Sequence, residues 1–269
     1  IVTINNKSPL RYPGGKTRAC NKLNDILKEN FDVSQFSTIV SPFFGGGSFE
    51  FYLQNNYNKT IIANDLFDPL YTFWKVCKEN NQELVYRLEK VLEQGVTKEV
   101  FAEYRKQIIN CEDESVKSVQ YFTINRCSFS GATLSGGFSE ESSTKRFNKA
   151  SIERVKSLDL RRITFYNLDY ETFLSQLPNK DDVLIWLDPP YYLEKGSKLY
   201  GSKGDLHTNF DHMRLFNVIK TYPNWIMTYN NCEFIKNIYK DYLIIETDWK
   251  YGMNKTKESS EIVIIRHEL

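Results

Sequence analysis

Cysteine and histidine are scarce in this chain of 269 residues, and their scarcity limits its chemistry. The five cysteines are scattered with no C-x-x-C pair, and the three histidines form no zinc-binding motif. We therefore expect no metal site. Long hydrophobic runs are also missing, since no apolar stretch approaches the roughly 18 residues that cross a membrane. The serine-hydrolase pattern G-x-S-x-G is absent as well.

The first residues of the sequence are polar rather than apolar. Residues 1–6 contain no long apolar stretch of the signal-peptide kind. Together with the odd number of unpaired cysteines, this predicts reduced thiols and a cytoplasmic location without a secretion signal. A hydrophobic content of 41% and a charged content of 26% are typical of a globular protein with a sizeable core.

Charge is nearly balanced overall, at +1, but it is unevenly distributed along the chain. Residues 1–22 contain five bases and no acid, and residues 145–162 contain seven bases and two acids. Such segments can contact nucleic-acid phosphates. The alternative is two solvated helix faces, and charge alone leaves both open.

Short strand-like runs alternate with helical segments through most of the chain. Residues 183–188 are almost continuously apolar, as in a strand buried on both faces. The alternation predicts an α/β fold, a doubly wound Rossmann-like sheet with ligands at the carboxyl ends of its strands. The predicted strands are 37–44, 60–65, 163–169, 183–188 and 225–229, with 242–247 and 261–265 as an antiparallel pair.

The middle of the chain interrupts this alternation. Residues 68–127 have helical patterns, and residues 128–149 are rich in glycine, serine and threonine. We therefore predict a helical and loop insertion at 67–159 within a discontinuous domain formed by 1–66 and 160–269.

Three glycines directly follow the first predicted strand. Gly45, Gly46 and Gly47 would let the backbone approach a ligand closely. Asp65 ends the next predicted strand, where an acid can accept hydrogen bonds from ribose hydroxyls. A tight strand-to-helix connection is the alternative. Residues 13–17 resemble the end of a phosphate-binding loop, but Leu10 stands where that loop needs glycine, so we predict no NTPase.

The tetrapeptide Asp188-Pro189-Pro190-Tyr191 follows the most apolar strand. Its two prolines cannot extend the strand because they have no N–H donor, so they hold the flanking acid and aromatic side chain in place. A carboxylate, a fixed carbonyl and an aromatic face suit a planar ring with an exocyclic amine. The alternative is a strand-ending turn with a packed tyrosine.

Seven segments of the chain occur in one order: 11–16, 42–48, 63–65, 125–131, 188–191, 207–210 and 260–263. Together they resemble the DNA adenine N6-methyltransferases of the Dam type, the D12 class, alpha group. In that family asparagine commonly stands at the position of Ser130, and residues 135–148 do not follow the family's closing block. The resemblance therefore implies the chemistry but not the DNA sequence recognised.

The resemblance implies S-adenosylmethionine as the cofactor and Asp188, Pro189, Pro190 and Tyr191 as the catalytic tetrapeptide. The target adenine would be rotated out of the duplex and stacked on Tyr191, with residues 192–210 covering it. The cofactor-binding residues it implies are Tyr12 and Lys16 at the methionine portion, Phe44, Gly45, Gly46 and Gly47 under the adenosine, Asp65 at the ribose, Asp169 and Tyr170 beside the adenine ring, and Asp188.

Double-stranded DNA is the implied partner, and the insertion at 67–159 is the implied target-recognition region. Arg126 is predicted to read a guanine edge, because its planar fork can donate two hydrogen bonds there. The alternative for Arg126 is a salt bridge that anchors the insertion. The predicted DNA-binding residues are Arg11, Asn125, Arg126, Ser130, Lys145, Arg146 and Lys149.

Other functions remain open at this point. An N4-cytosine DNA methyltransferase needs a similar amine pocket, and so does an enzyme that methylates RNA or a protein amide. A catalytically silent DNA-binding relative would keep the fold alone. The sequence leaves open whether such a methyltransferase has a cognate restriction endonuclease as a partner or is solitary.

Overall fold

A computed structural model describes residues 3–12, 16–193, 209–247 and 261–268. The sequence predictions at residues 13–15, 207–208 and 260 lie outside the described residues, as does most of the covering loop predicted at 192–210. No helix within the described ranges is both long and apolar enough to cross a membrane.

A seven-stranded sheet confirms the predicted α/β fold. Its strand order is β3-β2-β1-β4-β5-β7-β6, with β1 to β5 parallel and β7 antiparallel to both of its neighbours. The strands are β1 Thr38–Ser41, β2 Thr60–Asn64, β3 Ile163–Tyr166, β4 Val183–Leu187, β5 Asn224–Asn230, β6 Leu243–Thr247 and β7 Glu261–His267.

The strand order places the ends of β1 and β4 side by side. From β1 the chain builds β2 and β3 on one side, then returns to build β4 and β5 on the other. This reversal opens a crevice at the carboxyl ends of the strands, which is where doubly wound folds bind their ligands. β1 ends at Ser41, earlier than predicted, because Pro42 has no N–H to continue the ladder.

Helices cover both faces of the sheet. Alternate residues of β4 enter different cores, with Leu184 and Trp186 in one and Ile185 and Leu187 in the other. This alternation is expected of a strand buried on both faces. The described helices are α1 Cys20–Asn30, α2 Ser48–Tyr57, α3 Asp68–Glu79, α4 Asn81–Gln94, α5 Lys98–Gln107, α6 Glu114–Cys127, α7 Glu140–Lys145, α8 Lys149–Lys156, α9 Tyr170–Ser175, α10 His212–Ile219 and α11 Glu233–Ile238.

Helices α3 to α8 all lie between β2 and β3. This segment shares its core with the sheet, because Phe73 and Trp74 of α3 pack in the same cluster as Phe44 and Phe165. Helix α3 therefore packs directly on the sheet and joins the helical segment to the same hydrophobic core. Tyr121 of α6 and residues 132–135 reach the carboxyl edge of the sheet, where they line the candidate site.

Candidate active site

The glycine loop between β1 and α2 is tightly packed. Gly45 and Gly47 have φ angles of 53° and 72°, which other residues rarely adopt. A Cβ on Gly45 would lie 3.1 Å from the ring of Tyr12, and one on Gly47 would lie 2.5 Å from the ring of Phe44. Trp74 donates from Nε1 to the Gly45 carbonyl at 2.9 Å. The glycines are therefore needed to bring two aromatic rings onto the loop.

Asp65 follows β2 and holds the same loop. Its Oδ2 accepts from the Gly45 amide at 2.8 Å, and its Oδ1 accepts from the Phe67 amide at 3.0 Å. Burial raises the pKa of Asp65 to about 6, against the lowering effect of the two backbone donors. The carboxylate thus has a structural role at the loop in addition to its predicted ligand role.

Asp188 lies at the end of β4, a quarter exposed, and its Oδ1 contacts two side chains. Lys16 Nζ is 3.2 Å away, and Thr228 Oγ1 donates to it at 2.8 Å. Lys16 also donates to the hydroxyl of Tyr191 at 3.1 Å and lies over that ring. The two ends of the predicted tetrapeptide are therefore held by one ammonium group.

Two polar residues of β5 that the sequence analysis did not single out support this arrangement. Thr228 is fully buried, and its only sequence signal is a hydroxyl within a strand of apolar residues. Asn230 ends the strand and pairs with the backbone of Tyr192, accepting from its N–H and donating to its carbonyl, both at 2.9 Å. Together they fix the chain on both sides of Pro189 and Pro190.

Glu50, in the first turn of α2, is a buried acid that the sequence analysis also missed. It is 2% exposed, and its Oε2 accepts from Ser41 Oγ at 2.6 Å. Burial raises the pKa of Glu50 to about 8, Ser41 opposes this shift, and the nearby charge of Asp188 adds to it. The group is therefore mainly protonated at neutral pH.

Asp169 and Tyr170 begin α9 on the opposite side of the crevice. Arg214 of α10 holds both carboxylate oxygens of Asp169, at 3.0 and 2.7 Å, and lies over the Tyr170 ring. This bidentate contact lowers the pKa of Asp169 below its usual range. The hydroxyl of Tyr170 is buried and has no hydrogen-bond partner among the described residues.

One cavity of about 480 Å³ connects these groups at the carboxyl edge of the sheet. Residues from the insertion also line it, among them Tyr121 and Thr133. The predicted cofactor and catalytic residues that line it are Tyr12, Lys16, Phe44, Gly45, Gly46, Gly47, Asp65, Asp169, Tyr170, Asp188, Pro189, Pro190 and Tyr191.

The predicted DNA-binding residues fall into two groups, and the first contains the buried Asn125 and Arg126 and the half-buried Arg11. Asn125 is fully buried and accepts from the Arg11 amide at 2.8 Å, while Arg126 is 6% exposed and donates to the Pro9 carbonyl at 2.8 Å. Arg11 donates to the Ser128 carbonyl at 3.1 Å. These three residues join the N-terminal segment to α6.

This placement corrects the expectation that Asn125 and Arg126 face DNA. The physical reason is that α6 is buried throughout its last three turns. Burial lowers the pKa of Arg126 to about 10, and three neighbouring arginines add to the shift. Of the two alternatives for Arg126, anchoring is the one its contacts support, although its partner is a backbone carbonyl rather than the expected carboxylate.

The second group is exposed at the end of the insertion. It comprises Ser130, Lys145, Arg146 and Lys149. Lys145 forms a surface ion pair with Glu141 at 2.9 Å, of a kind that contributes little to stability. These side chains are accessible to a polyanion.

An aspartate-headed tetrapeptide at the switch point of a Rossmann-like sheet is the arrangement that the resemblance to amino-group methyltransferases implies. A family model for D12 class N6 adenine-specific DNA methyltransferases matches residues 12–253. The chain belongs to that family, and it is a site-specific DNA adenine methyltransferase.

Individual relatives are distant. The chain is 24% identical over 200 residues to the type II methyltransferase M.MjaIII of Methanocaldococcus jannaschii, covering 68% of each protein. It is 22% identical over 253 residues to the type II methyltransferase M.CviBI of Paramecium bursaria Chlorella virus NC1A, covering 91% of each. It is 26% identical over 190 residues to a DNA adenine methylase of Vibrio cholerae, covering 68% of this chain and 64% of that one.

Proposed function

We propose that this protein transfers the methyl group of S-adenosylmethionine to N6 of an adenine rotated out of a short duplex DNA sequence. The observation that carries the proposal is the position of Asp188, which shares one cavity with the glycine loop and Asp65. A cofactor bound along the loop and an amine at Asp188 would then be neighbours, as direct methyl transfer requires.

The residues of the cavity fit this cofactor. Asp65 can accept from ribose hydroxyls, and the hydroxyl of Tyr170, which has no partner among the described residues, offers a polar contact beside the adenine ring. Tyr12, whose ring lies against Gly45 and Gly46, and Lys16 would lie at the methionine portion. When bound, S-adenosylmethionine supplies an electrophilic methyl group on a sulfonium.

Asp188 would act on the acceptor amine. Lys16 and Thr228 both contact Oδ1, so Oδ2 is the oxygen left to accept from an N–H of adenine N6. The Pro189 carbonyl would accept the second N–H. Because Asp188 is held by Lys16 and Thr228, the amine would be oriented before reaction, and the carboxylate would stabilise the positive charge that develops on nitrogen.

Tyr191 would stack on the rotated adenine. Its hydroxyl is held by Lys16, so the ring enters the reaction already oriented. Stacking on an aromatic face offsets part of the cost of unstacking the base, which is about a few kcal/mol.

The helical insertion at 67–159 would carry target recognition in the proposed two-part organisation. Its exposed residues Ser130, Lys145, Arg146 and Lys149 would contact duplex DNA, mainly at phosphates. The contacts of Arg11, Asn125 and Arg126 would hold this surface against the N-terminal segment. We propose a cytoplasmic location, where the enzyme has access to DNA. Two of the relatives bear type II methyltransferase names, which makes a cognate restriction endonuclease a partner to test.

Sequencing that detects modified bases in the DNA of an expression host lacking its own methylases tests the function directly. We expect N6-methyladenine at one short sequence in cells with the wild-type protein and none in cells with Asp188→Ala. Methylcytosine would favour the cytosine alternative instead. If the host DNA is unmodified but the purified wild-type protein binds DNA, the result would favour a catalytically silent DNA-binding relative.

A further inference from the structure

The ammonium of Lys16 has a third partner besides Asp188 and Tyr191. Glu261, the first residue of β7, places Oε1 3.6 Å from Lys16 Nζ. Glu261 is 4% exposed and Lys16 is 3% exposed, so the contact is shielded from solvent. Two carboxylates and one phenol therefore surround a single buried cation.

The strand arrangement connects Glu261 to the other support of Asp188. β7 pairs with β5, so that Glu261 lies opposite Asn230 and Val263 lies opposite Thr228. Thr228 donates directly to Asp188, whereas within the described part of the chain Glu261 is joined to Asp188 through Lys16. The two neighbouring strands thus supply one direct and one indirect contact to the same carboxylate.

A buried ammonium that faces a single carboxylate would neutralise much of the negative charge of that carboxylate. A second carboxylate shares the cation and leaves the first a stronger acceptor for an incoming N–H group. The second carboxylate also restricts the ammonium to one position, which keeps Asp188 and Tyr191 in a fixed arrangement relative to each other. Burying such a set is costly, so its presence beside the reacting groups favours a functional role over a stabilising one.

We propose that Glu261 is a positioning residue for methyl transfer, which acts through Lys16 to hold and charge-balance Asp188 and Tyr191. The inference rests on the proposed function and adds a residue to it. Glu261 is 4% exposed and is not among the residues that line the cavity, so we expect its loss to affect turnover rather than binding.

The protonation state of Glu261 gives this role a pH dependence. Burial raises the pKa of Glu261 to about 7; the charge of Lys16 lowers it, and that of Asp188 raises it. Among the described residues, the charged groups that act on it are Lys16 and Asp188. The hydroxyl of Tyr191 lies on the same ammonium, and Glu50 lies near Asp188. A protonated Glu261 cannot share the cation, so we expect kcat to fall as the pH drops through 7.

Glu261→Gln keeps the shape of the side chain and removes its charge. We expect kcat at pH 8 to fall by about tenfold or more, with KM for DNA and for S-adenosylmethionine within about twofold of wild type. The acidic limb of the kcat profile should disappear. Glu246→Gln is the matched control, because Glu246 is an exposed acid on the adjacent β6.

A Lys16→Met background tests whether Glu261 acts through Lys16. In that background Glu261→Gln should have no further effect on kcat. Nuclear magnetic resonance of 13C-labelled glutamate carboxyls is a readout that needs no activity, and Lys16→Met should raise the titration midpoint of Glu261.

Several results would overturn the proposal. One is a kcat of Glu261→Gln within about twofold of wild type. Another is a further loss of kcat when Glu261→Gln is added to Lys16→Met. A third is a titration midpoint of Glu261 that Lys16→Met does not change. An acidic limb that persists in Glu261→Gln and vanishes in Glu50→Gln would assign the pH dependence to Glu50. A wild-type protein that methylates no DNA would contradict the proposed function instead, while the midpoint still tests the contact.

Discussion

The hydroxyl of Thr228 lies 2.8 Å from Oδ1 of Asp188. Thr228 is fully buried in the middle of β5, and Asp188 follows the neighbouring parallel strand β4. A residue of the sheet interior therefore orients the carboxylate on which the proposed chemistry depends.

Thr228→Val should lower kcat and leave the fold intact. Valine keeps the shape and strand preference of threonine but has no donor. A hydrogen bond to a charged group contributes about 1.5–3 kcal/mol, so we expect a loss of about tenfold or more. Steady-state kinetics with circular dichroism would measure both effects. Thr228→Ser should recover most of the activity, and an equal loss in both variants would show that the hydroxyl is not responsible.

Residue patterns predicted the sheet well because its signals are local. The apolar run before Asp188 and the glycines after β1 mark strand ends, and strand ends meet at the switch point of a doubly wound fold. Thr228, Asn230 and Glu50 were missed because each is a single polar residue in a buried element. Their roles depend on which strand lies beside which, and a single sequence does not reveal that order.

Arg126, in contrast, was singled out in the sequence as a DNA-reading residue but is buried in the structure. An arginine near a glycine-rich loop suggested a surface group, but the helix that carries it is buried. Amphipathic spacing does not reveal this burial, because the contacts of Arg126 include Pro9 in the N-terminal segment, more than a hundred residues earlier. The position was therefore set by a long-range contact that residue patterns cannot predict.

Arg126→Met should lower stability without altering sequence discrimination. The substitution leaves the Pro9 carbonyl unpaired, which costs about 1–3 kcal/mol in the free energy of unfolding. Urea unfolding would measure this loss, and binding to singly substituted DNA sites would measure discrimination. Relaxed discrimination at one base pair, with wild-type stability, would restore the base-reading role.

Lys149→Ala should weaken binding to all DNA sequences alike. Lys149 is exposed at the start of α8, where a flexible ammonium suits a phosphate. Removing one ammonium–phosphate pair lowers the slope of log K against log salt by about one. Binding titrations at several salt concentrations would measure the slope, with Lys28→Ala, an exposed base on α1, as the control. An unchanged slope would remove Lys149 from the interface.

Glu50 should make the free protein less stable as the pH rises. Its pKa of about 8 lies above the unfolded value near 4.5, so the folded state holds the extra proton. The stability this gives is complete below pH 4.5 and is lost as the pH rises through 8. Glu261 contributes in the same sense up to about 7.

We therefore expect the free energy of unfolding to fall between pH 6.5 and 8, and to fall less steeply in Glu50→Gln. One linked proton corresponds to a slope of at most about 1.4 kcal/mol per pH unit. Denaturant titrations across this range would measure the slope, with exposed Glu89→Gln as the control. Equal slopes in the wild type and Glu50→Gln would show that Glu50 is ionised in the folded protein.

The central claim is that Asp188 acts on the acceptor amine, and a single-turnover measurement of methyl transfer tests it most directly. The enzyme is mixed in excess with an unmethylated duplex that contains the target sequence and with labelled S-adenosylmethionine. This design separates the chemical step from product release. We predict that Asp188→Ala slows this step by at least about a hundredfold while DNA binding and folding stay as in the wild type. A rate within about tenfold of wild type, with DNA binding intact, would contradict the account.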